Sequence, residues 1–188
     1  MLVAIERVGW HRRLGPISIL LLLLIVPLTF ATTAGMVRRG FDLSGDLHIV
    51  PHPKTQVGGT LELDSATGSV FNFAGLVIFT VLAVAAIGYR RSPEIHKRLM
   101  LFANIELMQP PSTHFLGHFP PLALTPGTAL LSFSIFLLAG VARDYLVAKR
   151  IHPLTAVLAI ALFLSLPIEG AVIGPSAAWR DFAVRISQ

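Results

Sequence analysis

Cysteine is absent from this chain of 188 residues, and only 13% of its residues carry charge. The first absence excludes disulfides, thiolate metal sites and cysteine nucleophiles. The second excludes an ordinary water-soluble domain, in which about 25% of residues are charged. Catalytic signatures are missing as well. There is no phosphate-binding glycine loop, no HExxH pair for zinc and no strand-turn-helix nucleophile elbow. Apart from one echoed pentapeptide, treated below, no internal repeat or low-complexity tract is found.

What the chain has instead is apolar length. Hydrophobic residues make up 54% of it, and the mean hydropathy is +0.72. About 20 apolar residues in a helix cross the roughly 30 Å of a bilayer's hydrocarbon. Runs of that kind lie at about 16–37, 70–89, 95–115, 122–146 and 153–173. The expected fold is therefore all-α, an integral membrane bundle of about five transmembrane helices forming a single domain over 1–188. The first run follows basic residues and ends in ATTAG, as a signal peptide does. Its unbroken length up to Arg38 is too great for a signal core, and a retained span is expected.

The third run is the least apolar. Ser92, Pro93 and Glu94 mark its start as cap, first helical residue and dipole partner. Pro110-Pro111 should kink or end it. Residues 40–69 form the one sizeable extramembrane loop, in which HIVPHPKTQ and GGTLELDSATGS alternate enough for a small hairpin. The closing SAAWRDFAVRISQ reads as a short amphipathic helix with Trp179 at a membrane interface.

The basic residues are distributed unequally between the two sides of a five-span bundle. Arg7, Arg12, Arg13, Arg90, Arg91, Lys97, Arg98, Arg143, Lys149 and Arg150 fall on one side. Arg38, Arg39, Lys54, Arg180 and Arg185 fall on the other, where Asp42, Asp46, Glu62 and Asp64 offset them. Positive residues favour the cytoplasm, which places the N-terminus inside and the C-terminus outside a bacterial inner membrane. The echoed strings HRRLG (11–15) and HKRLM (96–100) then act as anchors whose arginines snorkel to the headgroups. Asp144 should pair with Arg143 or Arg150 on that side. Basic residues spread over membrane thresholds do not form a nucleic-acid face, so the expected partners are the lipid bilayer, other membrane subunits or further copies of the chain.

Seven histidines fall in two layers. His11, His96 and His152 sit at the inner ends of spans, and His48, His52, His114 and His118 sit on the outer side. Two layers of imidazole suit a transmembrane electron carrier, with His11, His96 and His152 as candidate haem b ligands. His114 and His118, spaced i, i+4, could chelate a metal from one helical face. The plainer reading makes all of these interfacial or loop histidines.

Glu106 is the sharpest single residue. A charged side chain near mid-span is costly and should face the bundle interior with a partner. Gln109 and Thr113 share its helical face at i+3 and i+7 while the helix persists. A proton or ligand site is one reading, and a protonated carboxyl that joins helices is the other. Glu169 lies near the outer end of the fifth run and should reach the interface.

HRRLG before one span, HKRLM before a later one, RIHP before the last and the closing WRDFA together resemble a family of uncharacterised bacterial multi-pass inner-membrane proteins. The resemblance runs over most of the chain through short motifs. It implies a small helical bundle, a further span ahead of the HRRLG element, and no particular activity. A looser likeness to diheme transmembrane b-type cytochromes rests on the two histidine layers; here the histidines gather at helix ends. Three functions follow as alternatives: a subunit or scaffold without its own catalysis, a haem b or metal-binding redox protein, and a small transporter or proton pathway through Glu106.

Overall fold

Prolines and short polar turns decide where the helices stop. The computed structural model describes residues 8–39, 65–117 and 126–187. They form α1 (Val8–Arg39), α2 (Ser65–Gly88), α3 (Pro93–Leu107), α4 (Gln109–Gly117), α5 (Pro126–Ala148), α6 (Pro153–Ile168) and α7 (Ala177–Ser187), with a π-helical turn at Glu169–Ile173 between the last two. The architecture is an all-α bundle, as expected. Among the described residues four helical stretches, Gly15–Arg38, Gly68–Gly88, Gly127–Ala148 and Pro153–Ile173, are long and apolar enough to cross a membrane. The third run is broken at the expected prolines into α3 and α4, so among the described residues the bundle has four long apolar helices beside this interrupted pair. Most of the expected outer loop, with its hairpin and His48 and His52, lies outside the described residues. Its last part, Ser65 to Ser69, is the first turn of α2.

The break follows from the two prolines. Pro110 and Pro111 have no amide hydrogens, so the carbonyls of Glu106 and Leu107 lose their i+4 donors. The helix closes early: the Met108 amide donates back to the Ile105 carbonyl at 3.0 Å. The chain then resumes as α4, one residue before Pro110. At the other end of α3, Ser92 is the N-cap, Pro93 occupies the first turn and Glu94 stands beside the positive helix end. The Ser92 side chain makes no capping bond; its carbonyl accepts from the His96 amide at 2.9 Å.

Although it is the least apolar of the long segments, α3 lies at the centre. Its Leu99, Phe102, Ala103 and Ile105 meet Phe79, Leu82, Ala83 and Ala86 of α2, Phe133 and Leu137 of α5, and Leu162 and Leu166 of α6. Lipid chains solvate leucine as well as a neighbouring helix does, so polarity and close packing decide which helix goes inside. Gly140 on α5 permits the approach: a Cβ there would lie 3.0 Å from Ile105 Cδ1. The converse case is α1, whose Leu20, Leu21, Leu23, Leu24 and Leu28 all face outward. Pro16 and Pro27 lie within it, which an apolar helix tolerates.

The tail docks rather than trailing. Ser176 caps α7, its hydroxyl accepting from the Trp179 amide at 3.2 Å. Ala183 is fully buried. Phe73 of α2 makes edge-on ring contacts with Phe30 of α1 at 5.3 Å, Trp179 at 5.8 Å and Phe182 at 5.7 Å. The amphipathic face expected from sequence is thus satisfied by aromatic rings of α1 and α2.

The turn between α5 and α6 holds one strained residue. Lys149 has φ of 56°, a left-handed conformation that glycine adopts without a Cβ penalty. Replacing Lys149 by glycine is expected to stabilise the protein by about 1 kcal/mol, seen as a small rise in the thermal unfolding midpoint in detergent.

Candidate functional site

Two polar assemblies are built into this apolar fold. The first lies where α3 and α6 begin and α5 ends. Arg98, the third residue of HKRLM, is only 3% exposed. Its Nη2 donates to Asp144 Oδ1 at 2.6 Å and its Nε to Thr155 Oγ1 at 3.1 Å. Its Nη1 donates to both the carbonyl oxygen and Oε2 of Glu94, each at 2.7 Å. Asp144 is completed by the Thr155 hydroxyl at 2.8 Å and the His152 amide at 2.9 Å. Hydrogen bonds from Lys97 and Arg98 pull the Glu94 carboxyl down to about 2. Glu94 itself is exposed, so its two ion pairs add little stability.

Two expectations are corrected here. Asp144 pairs with Arg98 of α3, not with Arg143 or Arg150 beside it in sequence. Arg98 does not snorkel: a long side chain a turn into a central helix finds a buried carboxylate closer than the headgroups. Lys97, next to it, stays half-exposed and takes the surface pair with Glu94 at 2.6 Å.

The histidines of this end are structural in their visible contacts. The His96 ring Nδ1 lies 2.7 Å from the Ala86 carbonyl, donating to it and stapling α3 to α2. His152 is the N-cap of α6, its Nδ1 accepting from the Leu154 amide at 3.1 Å. In the neutral ring that bond puts the proton on Nε2. The side chains of His11 and His114 and the whole of His118 lie outside the described residues. Among the described residues no three His, Asp or Glu side chains gather as a metal site.

The second assembly lies deep between α1, α2 and the α3–α4 break. A cavity of about 60 Å³ is lined by Thr29, Asn72, Gly75, Glu106 and Gln109, with Phe71 and Pro110 among the apolar walls. Glu106 is 5% exposed and Gln109 8%. The Oε2 of Glu106 is buried with no hydrogen-bond partner. Gly75 lets α2 close on this carboxyl, since a Cβ there would stand 3.3 Å from Glu106 Oε1. Thr113 does not join the cavity. Its hydroxyl donates to the Gln109 carbonyl at 2.8 Å and meets Ser132 of α5 at 3.3 Å, because the break at Met108 turns α4 away from the α3 register.

Glu169 is the functional candidate that the sequence undervalued. It is 4% exposed rather than interfacial, and its Oε1 also lacks a partner. It opens the π-turn, in which the Gly174 amide donates to the Glu169 carbonyl at 2.8 Å. A π-turn inserts one residue into the helical register and is frequent at functional sites. Pro167, two residues earlier, loosens the helix just before it. The next residue, Gly170, lies against Phe71, with a Cβ position 3.0 Å from that ring. The same Phe71 lines the Glu106 cavity. Among the described residues neither forms an ion pair with Lys, Arg or His. The sequence signal for Glu169 was its neighbourhood, Pro-Ile-Glu-Gly: a proline and a glycine bracketing an acid inside an apolar run.

No family model matches this chain, and no curated protein or solved structure matches it either.

Proposed function

We propose that this chain is a proton-handling multi-pass protein of the bacterial inner membrane, with Glu106 and Glu169 as its intramembrane acids. One observation carries the reading: Glu106 is nine-tenths buried, has an unpartnered oxygen, and lines a small cavity together with Thr29, Asn72 and Gln109 inside an otherwise apolar bundle. A carboxylate in hydrocarbon needs a compensating positive charge. The described basic residues do not supply it, so it comes and goes as a proton. The orientation rests on charge, with the Arg98 end cytoplasmic and α7 outside. The resemblance to the bacterial multi-pass family supports the placement and carries no activity. A haem b role for His11, His96 and His152 gains no support from the described contacts, since His152 caps a helix and His96 staples two.

The test is proton flux in liposomes carrying a pH gradient and a potassium diffusion potential, read by an entrapped pH dye. The protein is expected to accelerate dissipation of the gradient. Glu106→Gln should cut that rate at least tenfold at an unchanged unfolding midpoint. Equal rates with and without protein would favour the subunit or scaffold role and remove this one.

A further inference from the structure

A groove of about 320 Å³ lies between α5 and α6. Ser134, Leu138 and Val141 form one wall, and Ala159, Ile160 and Phe163 the other. Leu138, Ile160 and Phe163 are exposed, so the groove opens toward hydrocarbon and not into the bundle. The Ser134 hydroxyl donates to the Leu130 carbonyl of its own helix at 2.6 Å, which leaves the walls apolar in character. From Ser134 to Val141 the groove follows about 10 Å of helix axis. About as much again separates Val141 from the end of α5 at Ala148.

Charge gathers where the groove points. Tyr145 stands four residues beyond Val141 on the same helical face and is exposed, as aromatic residues at the headgroup level are. Lys149 and Arg150 follow in the turn to α6, both exposed. Asp144, the acid of this segment, is turned inward to Arg98 and Thr155 and does not offset them. Among the described residues no carboxylate pairs with Lys149 or Arg150. Lys149 also keeps its left-handed φ of 56°, where glycine would be unstrained. Strained residues persist at ligand clamps.

We infer that groove and turn together bind one anionic phospholipid of the leaflet at the Arg98 end, with an acyl chain between α5 and α6 and the phosphate at Lys149 and Arg150. Basic pockets between transmembrane helices hold anionic headgroups in this way. Shape selects the chain: 320 Å³ along about 10 Å of axis gives a cross-section of about 30 Å², too narrow for another helix about 10 Å across. Charge selects the headgroup, since two unpaired cations favour a net negative lipid over a zwitterionic one. The inference does not depend on the proton role of Glu106.

The experiment titrates the purified, delipidated full chain in mild detergent with phosphatidylglycerol or phosphatidylcholine of equal chain length, and counts bound lipid by native mass spectrometry. One phosphatidylglycerol per chain is expected, bound about thirtyfold more tightly than phosphatidylcholine, or about fivefold per cation. Lys149→Gly/Arg150→Gln, both in an exposed turn, should erase that difference. Arg90→Gln/Arg91→Gln, exposed at the same end in the α2–α3 turn, should leave it intact. Ala159→Phe fills the groove and should weaken both lipids at least tenfold. Glycerol phosphate, a headgroup without a chain, should not compete. Equal binding of the two lipids, or equal losses in the two charge variants, would overturn the site in favour of diffuse surface attraction. Competition by glycerol phosphate, or unchanged binding in a folded Ala159→Phe variant, would overturn the acyl groove.

Discussion

Arg98→Leu is expected to destabilise the protein by about 3–5 kcal/mol, because it leaves Asp144 buried without its cation. Asp144 would keep the Thr155 hydroxyl and the His152 amide, which partner a carboxylate but do not neutralise it. Asp144→Leu should cost a similar amount, leaving Arg98 with the Thr155 hydroxyl and, for charge, the exposed Glu94. The double variant Arg98→Leu/Asp144→Leu should recover most of the loss, since a buried ion pair and an apolar pair of similar volume are often nearly equal in stability. Arg98→Lys should fall between, keeping charge but not the fork that reaches Glu94, Asp144 and Thr155 together. Thermal unfolding in mild detergent measures all four. Additive losses in the double variant would show that the two side chains do not act as a unit.

Phe73→Ala is expected to cost about 3–5 kcal/mol as a buried aromatic truncation, and to do so by releasing a named element. Phe73 touches Phe30, Trp179 and Phe182 together. Without it α7 loses its main seat on α2, and α1 loses a shared contact with both. The Trp179 emission should shift to longer wavelength, and protease should cut within the α7 segment far faster than in wild type. A loss of overall stability with unchanged Trp179 emission and unchanged cutting would mean that α7 is held by Ala183 and its other contacts instead.

The long helices were legible in the sequence because hydrocarbon thickness imposes a length and a composition that few other structures share. The break at Met108 was legible to within a residue or so, because proline chemistry is local. What could not be read was which polar residue meets which. Arg98 and Asp144 stand in different helices, 46 residues apart, and the nearer Arg143 and Arg150 satisfy any rule based on spacing. Glu169 was misplaced for a different reason. Counting residues along an ideal helix puts it near the outer end and leaves its direction open, and the π-turn that faces it inward has no periodic signature. Glu106 and Gln109 were placed together correctly; Thr113 was lost from their face because the register ends at the break.

The position of α1 bears on how the chain is put together during synthesis. Its outward leucines let it leave the translocon and rest in lipid alone, with nothing to wait for. Its inward contacts are with α2, made soon afterwards, and with α7, made only after every other described helix. Phe30 meets Phe73 once α2 is in place, and the contacts of α7 with α1 and α2 are the last of these to form. A ribosome stalled before α7 would hold a set of inserted helices that is threaded but not yet locked.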